Sequence, residues 1–108
     1  MDEQEFRTRS DEALQALYRK LSHASEQYDF EPDFNAGALA IEFDEPKAKF
    51  VVSPNAPVRQ IWVSAHSKSF KLDWNRDKNA FVLADTQQTL EQMIAGAIGQ
   101  LIGEPVTL

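Results

Sequence analysis

Apolar residues recur at spacings of three and four at both ends of the chain, and at spacings of two between them. Near the N-terminus, Phe6, Ser10, Ala13, Leu14, Leu17 and Leu21 share one stripe, which predicts an amphipathic helix. Asp2, with Glu5 three positions on, reads as a capping box in which acidic side chains satisfy first-turn amides. The helix is expected to fade over Ser22 to Ser25, where small residues replace the periodic ones. At the other end, Leu90, Met93, Ile94, Ala97, Ile98, Leu101 and Ile102 predict a second helix. Asp85 or Thr86 is expected to cap its start, and Gly103 followed by Pro105 to end it. Gly96 and Gly99 each cost about 1 kcal/mol of helix propensity; close approach of the helix to a sheet is the expected reason for them.

Between the helices the two-residue period predicts strands. Phe30 to Asn35 is a short strand, and Asn35-Ala36-Gly37 a turn in which Gly37 takes positive φ. Leu39, Ile41 and Phe43 share one face of the next strand. After Asp44-Glu45-Pro46, Lys47 to Val52 is the return strand. Ser53 to Pro57 reads as a loop, because its two prolines lack ladder donors. Arg59 to Ala65, Lys68 to Trp74 and Ala80 to Leu83 complete about six strands, the last two separated by the turn Asn75 to Asn79. Tight turns imply an antiparallel meander. Two amphipathic helices then need one sheet face to bury their stripes. The expected fold is α+β, a single domain over 1–108, built as a two-layer α–β sandwich with both terminal helices on one face of the sheet. The other face meets solvent or a partner.

The 108 residues are 43% hydrophobic and 26% charged, which fits one ordinary globular domain. Without cysteine there is no disulfide, thiolate metal site or thiol nucleophile. The net charge of −6 disfavours nucleic acid and anionic membrane as partners, and no apolar run is long enough to span a membrane. The acidic start, Met1 to Phe6, resembles neither a signal nor a transit peptide, so the expectation is a soluble intracellular chain. Charge is uneven. Twelve acids and four bases precede Pro46, whereas five acids and seven bases follow from there, which predicts a dipolar surface. Catalytic signatures such as a nucleophile elbow, a phosphate-cradling loop or a His-Glu-x-x-His are absent, so an enzyme is not expected.

The run Pro57-Val58-Arg59-Gln60-Ile61-Trp62-Val63-Ser64-Ala65, followed by Lys71-Leu72-Asp73-Trp74, resembles the signature of the frataxin family. Asn35 to Leu39 resembles the family's turn-strand segment, and Leu90 to Ile94 its closing helix. The resemblance covers nearly the whole chain and implies a frataxin-like sandwich. It also implies weak iron binding (Fe2+ or Fe3+) on an acidic ridge, and docking of the sheet onto the cysteine desulfurase and scaffold protein that make iron–sulfur clusters. A bacterial form would be cytoplasmic and a processed eukaryotic form mitochondrial. A monomer is expected, with oligomerisation by iron as the alternative. Three functions follow: delivery of iron to, or regulation of, cluster assembly; metal-independent regulation of the desulfurase; and weak ferroxidase or iron storage.

Iron favours carboxylate oxygens, and the candidate ligands are Asp2, Glu3, Glu5, Asp11, Glu12, Glu26, Asp29, Glu31 and Asp33, with His23 as a nitrogen ligand beside Glu26 or Asp29. An acidic helix face is as readily a solvated face. Bacterial relatives carry acids in the last turns of the first helix. Here Arg19 and Lys20 stand there, which is expected to weaken cation attraction. Strand alternation sends Trp62 and Gln60 outward if Ile61 and Val63 face the helices, and the resemblance makes Trp62 a docking residue. Ser53 and Asn55 stand where relatives carry larger amides. Arg59, Lys68, Lys71 and Arg76 are the expected basic side of this surface; Trp74 is expected to be structural. The candidate docking set is thus Ser53, Asn55, Arg59, Gln60, Trp62 and Lys71.

Overall fold

The structure, a computed structural model, describes all residues 1–108. Helix α1 spans Glu3–Ala24. Six strands follow: β1 Phe30–Asn35, β2 Ala38–Asp44, β3 Lys47–Asn55, β4 Gln60–Ala65, β5 Lys68–Asn75 and β6 Ala80–Leu83. Helix α2, Leu90–Ile102, closes the chain. The strands form one antiparallel sheet in sequence order, as a meander.

The predicted stripe of α1 is the buried one. Phe6, Leu14, Leu17 and Leu21 are at most 1% exposed, and Ser10 is buried among them with its hydroxyl donating to the Arg7 carbonyl. Leu90, Met93, Ile94, Ala97 and Ile98 are the buried positions of α2. Both helices cover the sheet face that carries Leu39, Ile41, Phe43, Phe50, Val52, Ile61, Val63, Ala65, Leu72 and Phe81, and one apolar cluster joins the two helices to the sheet. Aromatic contacts run through it. Phe43 sits 5.0 Å from Phe50, while Phe81 meets Phe6 at 5.9 Å and Trp74 at 5.1 Å. Arg9 of α1 lies 5.2 Å above the Trp74 ring. Trp74 therefore belongs to the helix-facing side, as its shared parity with Leu72 and Phe70 requires.

Several boundaries differ from the sequence expectation. Residues 53–55 continue β3 and pair with β4, Pro54 lying opposite Ile61. The pleat tolerates a proline where its missing N–H is not needed for the ladder. The connection shrinks to the single 3-10 turn Ala56–Val58. Arg59 is its left-handed cap, with φ 56°, so β4 starts at Gln60 instead. Helix α2 is capped by Thr89, not by Asp85 or Thr86. The Thr89 hydroxyl accepts from the Gln92 amide, and the Gln92 side chain accepts from the Thr89 amide. Residues 84–89 instead fold into turns against the β6 edge, with the Leu83 amide donating to the Gln88 carbonyl. At α1 only half of the expected box forms: Asp2 accepts from the Glu5 amide at 2.7 Å. Close approach to the sheet does not explain the α2 glycines. A Cβ on Gly99 would lie 2.9 Å from the Glu104 carbonyl oxygen of the returning C-terminal segment, and one on Gly96 would meet nothing.

The two-residue turn His66-Ser67 joins β4 to β5 with both residues at positive φ, 54° and 62°. That conformation is unfavourable for non-glycine residues. It is held from the side chain: His66 Nε2 donates to the Ala97 carbonyl at 2.9 Å, and its ring packs 5.1 Å from Phe50. The hairpin tip is thereby tied to α2.

Candidate docking face and acidic edge

Because successive side chains alternate across a strand, burial of Ile61 and Val63 leaves Gln60, Trp62 and Ser64 on the open face. Register then fixes their neighbours. Ser53, Trp62 and Lys71 form one row across β3, β4 and β5; Asn55, Gln60 and Asp73 form the next. On the far side of Trp62 the row is Ala40, Val51, Ser64 and Ser69. Trp62 is 37% exposed, and apart from Val58 it is the exposed large hydrophobic residue of the molecule. It stands beside small neutral side chains on one flank and beside polar ones on the other.

The indole is held in place. Trp62 Nε1 donates to Gln60 Oε1 at 3.0 Å. Gln60 Nε2 donates to Asp73 Oδ1 at 3.1 Å. Lys71 Nζ lies 5.0 Å from the Trp62 ring centroid, a cation–π contact. Five of the six candidate docking residues, Ser53, Asn55, Gln60, Trp62 and Lys71, thus share one face. Arg59 is apart from them. Its guanidinium donates back to the Ala56 carbonyl within its own turn, and its Nε is buried without a partner. The expected basic side does not assemble either. Lys68 pairs with Ala65 and so has helix-facing parity, and Arg76 lies in the β5–β6 turn. The open face instead takes its further cations from Lys47 and Lys49, opposite Asp44 and Glu42.

The candidate metal ligands are dispersed. Asp2 is engaged as the α1 cap. Glu3 pairs with Arg7 at 3.1 Å, and Glu12 lies 3.9 Å from Arg9. Glu5, Asp11 and Asp29 make no ion pair. His23 and Glu26 do come together, with Nδ1 3.7 Å from Oε2, both highly exposed. Glu31 and Asp33 share the solvent-facing side of β1, where Glu31 lies directly opposite Glu42. No group of three or more carboxylates or imidazoles is arranged to hold a metal. Lys20 does not face this side at all, contrary to expectation. It turns toward α2 and pairs with Glu91 at 2.6 Å, leaving Arg19 as the exposed base of that turn.

Glu42 and Asp73 are among the residues of these surfaces that escaped the sequence reading. Both were accessible through hairpin geometry. A two-residue turn at Ala36-Gly37 sets Glu31 against Glu42, and the turn at His66-Ser67 sets Gln60 against Asp73. With Ser22, Ser25, Pro32 and Asp33, the Glu31–Glu42 pair lines a predominantly polar groove of about 480 Å³ between α1 and the sheet edge.

Comparison with known proteins agrees with this architecture. A family model described as a frataxin-like domain matches residues 1–104. The mitochondrial frataxin of Arabidopsis thaliana is 28% identical over 112 aligned positions, covering 100% of this chain; the chain spans 59% of the plant protein's length. The iron-sulfur cluster assembly protein CyaY of Pseudomonas putida strain GB-1 is 26% identical over 104 positions, covering 96% of this chain and 92% of the relative. CyaY of Azotobacter vinelandii is 26% identical, with 86% of each chain covered. The solved frataxin of Psychromonas ingrahamii superposes with a TM-score of 0.75 over 98% of this chain and 96% of its own, at 22% identity, a likeness of fold.

Proposed function

The chain belongs to the frataxin-like family, and from that premise we propose that it acts in iron–sulfur cluster assembly by docking the open face of its sheet onto the cysteine desulfurase–scaffold complex and regulating it. One observation carries this reading: a solvent-exposed, side-chain-braced Trp62 on an otherwise small and polar sheet face. A large aromatic anchor beside small neighbours is the composition expected at the centre of an interface. Ser53, Asn55, Gln60 and Lys71 surround it, and the row from Ala40 to Ser69 offers a flat surface for close approach.

Iron delivery is the second reading, and the polar groove at the β1 edge favours it. Glu31, Asp33 and Glu42 are three carboxylates lining one groove, chemically suited to a hard cation. Their spacing supports loose, largely hydrated binding, because no three ligands converge. Ferrous iron is expected to bind in the micromolar range or more weakly. Paramagnetic NMR line-broadening should centre on residues 22–33 and 42; broadening centred on α2 contradicts this site.

A reconstituted sulfide-production assay separates the two readings. The chain is compared with Trp62→Ala and with a Glu31→Gln, Asp33→Asn, Glu42→Gln variant, each with and without ferrous iron. The docking reading expects Trp62→Ala to lose the effect on the desulfurase under both conditions, and the acid-neutralised variant to keep it without iron. Loss of the effect only in the acid-neutralised variant, and only with iron present, contradicts docking by the Trp62 face and favours iron delivery.

A further inference from the structure

We infer that Asp73 is a positioning residue for the docking tryptophan, acting through Gln60; the inference rests on the docking reading above. The logic lies in donor and acceptor identity. An indole N–H can only donate, and an ionised carboxylate can only accept. Gln60 stands between one of each. Its amide satisfies both only when Oε1 faces Trp62 and Nε2 faces Asp73, and that is the arrangement present, at 3.0 and 3.1 Å. Asp73 therefore sets which way the Gln60 amide points, and the amide in turn gives the indole a fixed acceptor. Remove the carboxylate and the amide is free to turn over, presenting its NH2 group to a donor that cannot accept from it.

The four side chains form a two-by-two block across β4 and β5: Gln60 opposite Asp73, Trp62 opposite Lys71. Lys71 covers the indole from the neighbouring strand at 5.0 Å. The N–H is engaged by Gln60 and the ring is flanked by Lys71, so the orientation of the ring is set before a partner arrives. A preorganised aromatic anchor loses less side-chain freedom on association than a mobile one. The partner then reads the ring surface left uncovered, while its own acceptor groups find Lys71 beside it.

The test compares Asp73→Ala with Asp73→Asn. Asp73 is exposed, so both variants keep the fold, which circular dichroism verifies. Asn retains an acceptor oxygen and is the conservative rescue. In a 1H–15N spectrum the Trp62 indole signal is the one that Trp62→Phe removes, Trp74 supplying the other. Asp73→Ala is expected to move that signal upfield and to speed its exchange with solvent, while Asp73→Asn leaves it in place. Affinity for the desulfurase–scaffold complex is expected to fall about five-fold or more in Asp73→Ala, less than two-fold in Asp73→Asn, and less than two-fold when Asp73→Ala is added to Trp62→Ala. An unmoved indole signal in Asp73→Ala overturns the positioning role whatever binding does. An undiminished loss in the Trp62→Ala background also overturns it, since Asp73 would then touch the partner itself. If Trp62→Ala alone binds as tightly as the unmodified chain, the docking reading fails instead, while the indole shift in Asp73→Ala still decides the positioning role separately.

Discussion

Trp62 and Trp74 are two tryptophans twelve residues apart with opposite fates, and strand parity decides between them. Trp74 shares the parity of Leu72 and Phe70 and enters the core side, against Phe81 and beneath Arg9. Trp62 alternates with Ile61 and Val63, both at most 1% exposed, and so leaves the core. Trp62→Ala is expected to cost about 1 kcal/mol of stability or less, because it removes no core volume. Its affinity for the desulfurase–scaffold complex should nonetheless fall by about 2 kcal/mol or more. Trp74→Ala should lose about 3 kcal/mol of stability. Urea denaturation of the two variants checks the first and third values, and titration calorimetry the second. If Trp62→Ala unfolds the chain while Trp74→Ala leaves it intact, the two faces have been exchanged.

Among elements, the helices and strands followed from periodicity, and the departures occur where local chemistry overrides it. The α2 stripe was legible, but its start was not. Thr89 with Gln92 is a Thr-x-x-Gln box that matches the capping pattern better than Asp85 or Thr86 does, and it sits immediately before the first periodic residue. Thr89→Ala is expected to destabilise by about 1 kcal/mol, while Asp85→Ala and Thr86→Ala change stability by less than about 0.5 kcal/mol; thermal unfolding distinguishes them. The prolines at 54 and 57 made a loop the natural expectation, yet hairpin register carried β3 through Pro54. The open face was legible from alternation alone, because each strand needed only one buried residue to fix its parity. Its lateral neighbours were not, because they depend on register, which a sequence reveals only once each turn length is known. Asp73 and Glu42 were missed for that reason. Metal ligation was least legible, since composition counts carboxylates but cannot say that Asp2, Glu3 and Glu12 are each engaged within α1.

Over the whole molecule the net charge is −6, but the first 45 residues carry −8 and the rest carry +2. Cross-strand Glu31 and Glu42 place like charges opposite one another, a destabilising arrangement. Raising sodium chloride from low to about 0.5 M is expected to increase the melting temperature by roughly 2–5 °C through screening. Calcium or ferrous iron should act at much lower concentration, because a cation neutralising the cluster binds the folded state preferentially. A melting temperature unmoved by both contradicts electrostatic clustering at the β1 edge. In the function proposed above, the two surfaces divide the work: the β1 edge attracts cations, and the open face of β3, β4 and β5 meets the partner. The most direct test of that division is cross-saturation NMR on the labelled chain bound to the unlabelled desulfurase–scaffold complex. Saturation is expected at the amides of Ser53, Trp62, Ser64, Ser69 and Lys71. Saturation confined to the outward faces of α1 and α2, with those five amides unaffected, would contradict docking through the sheet.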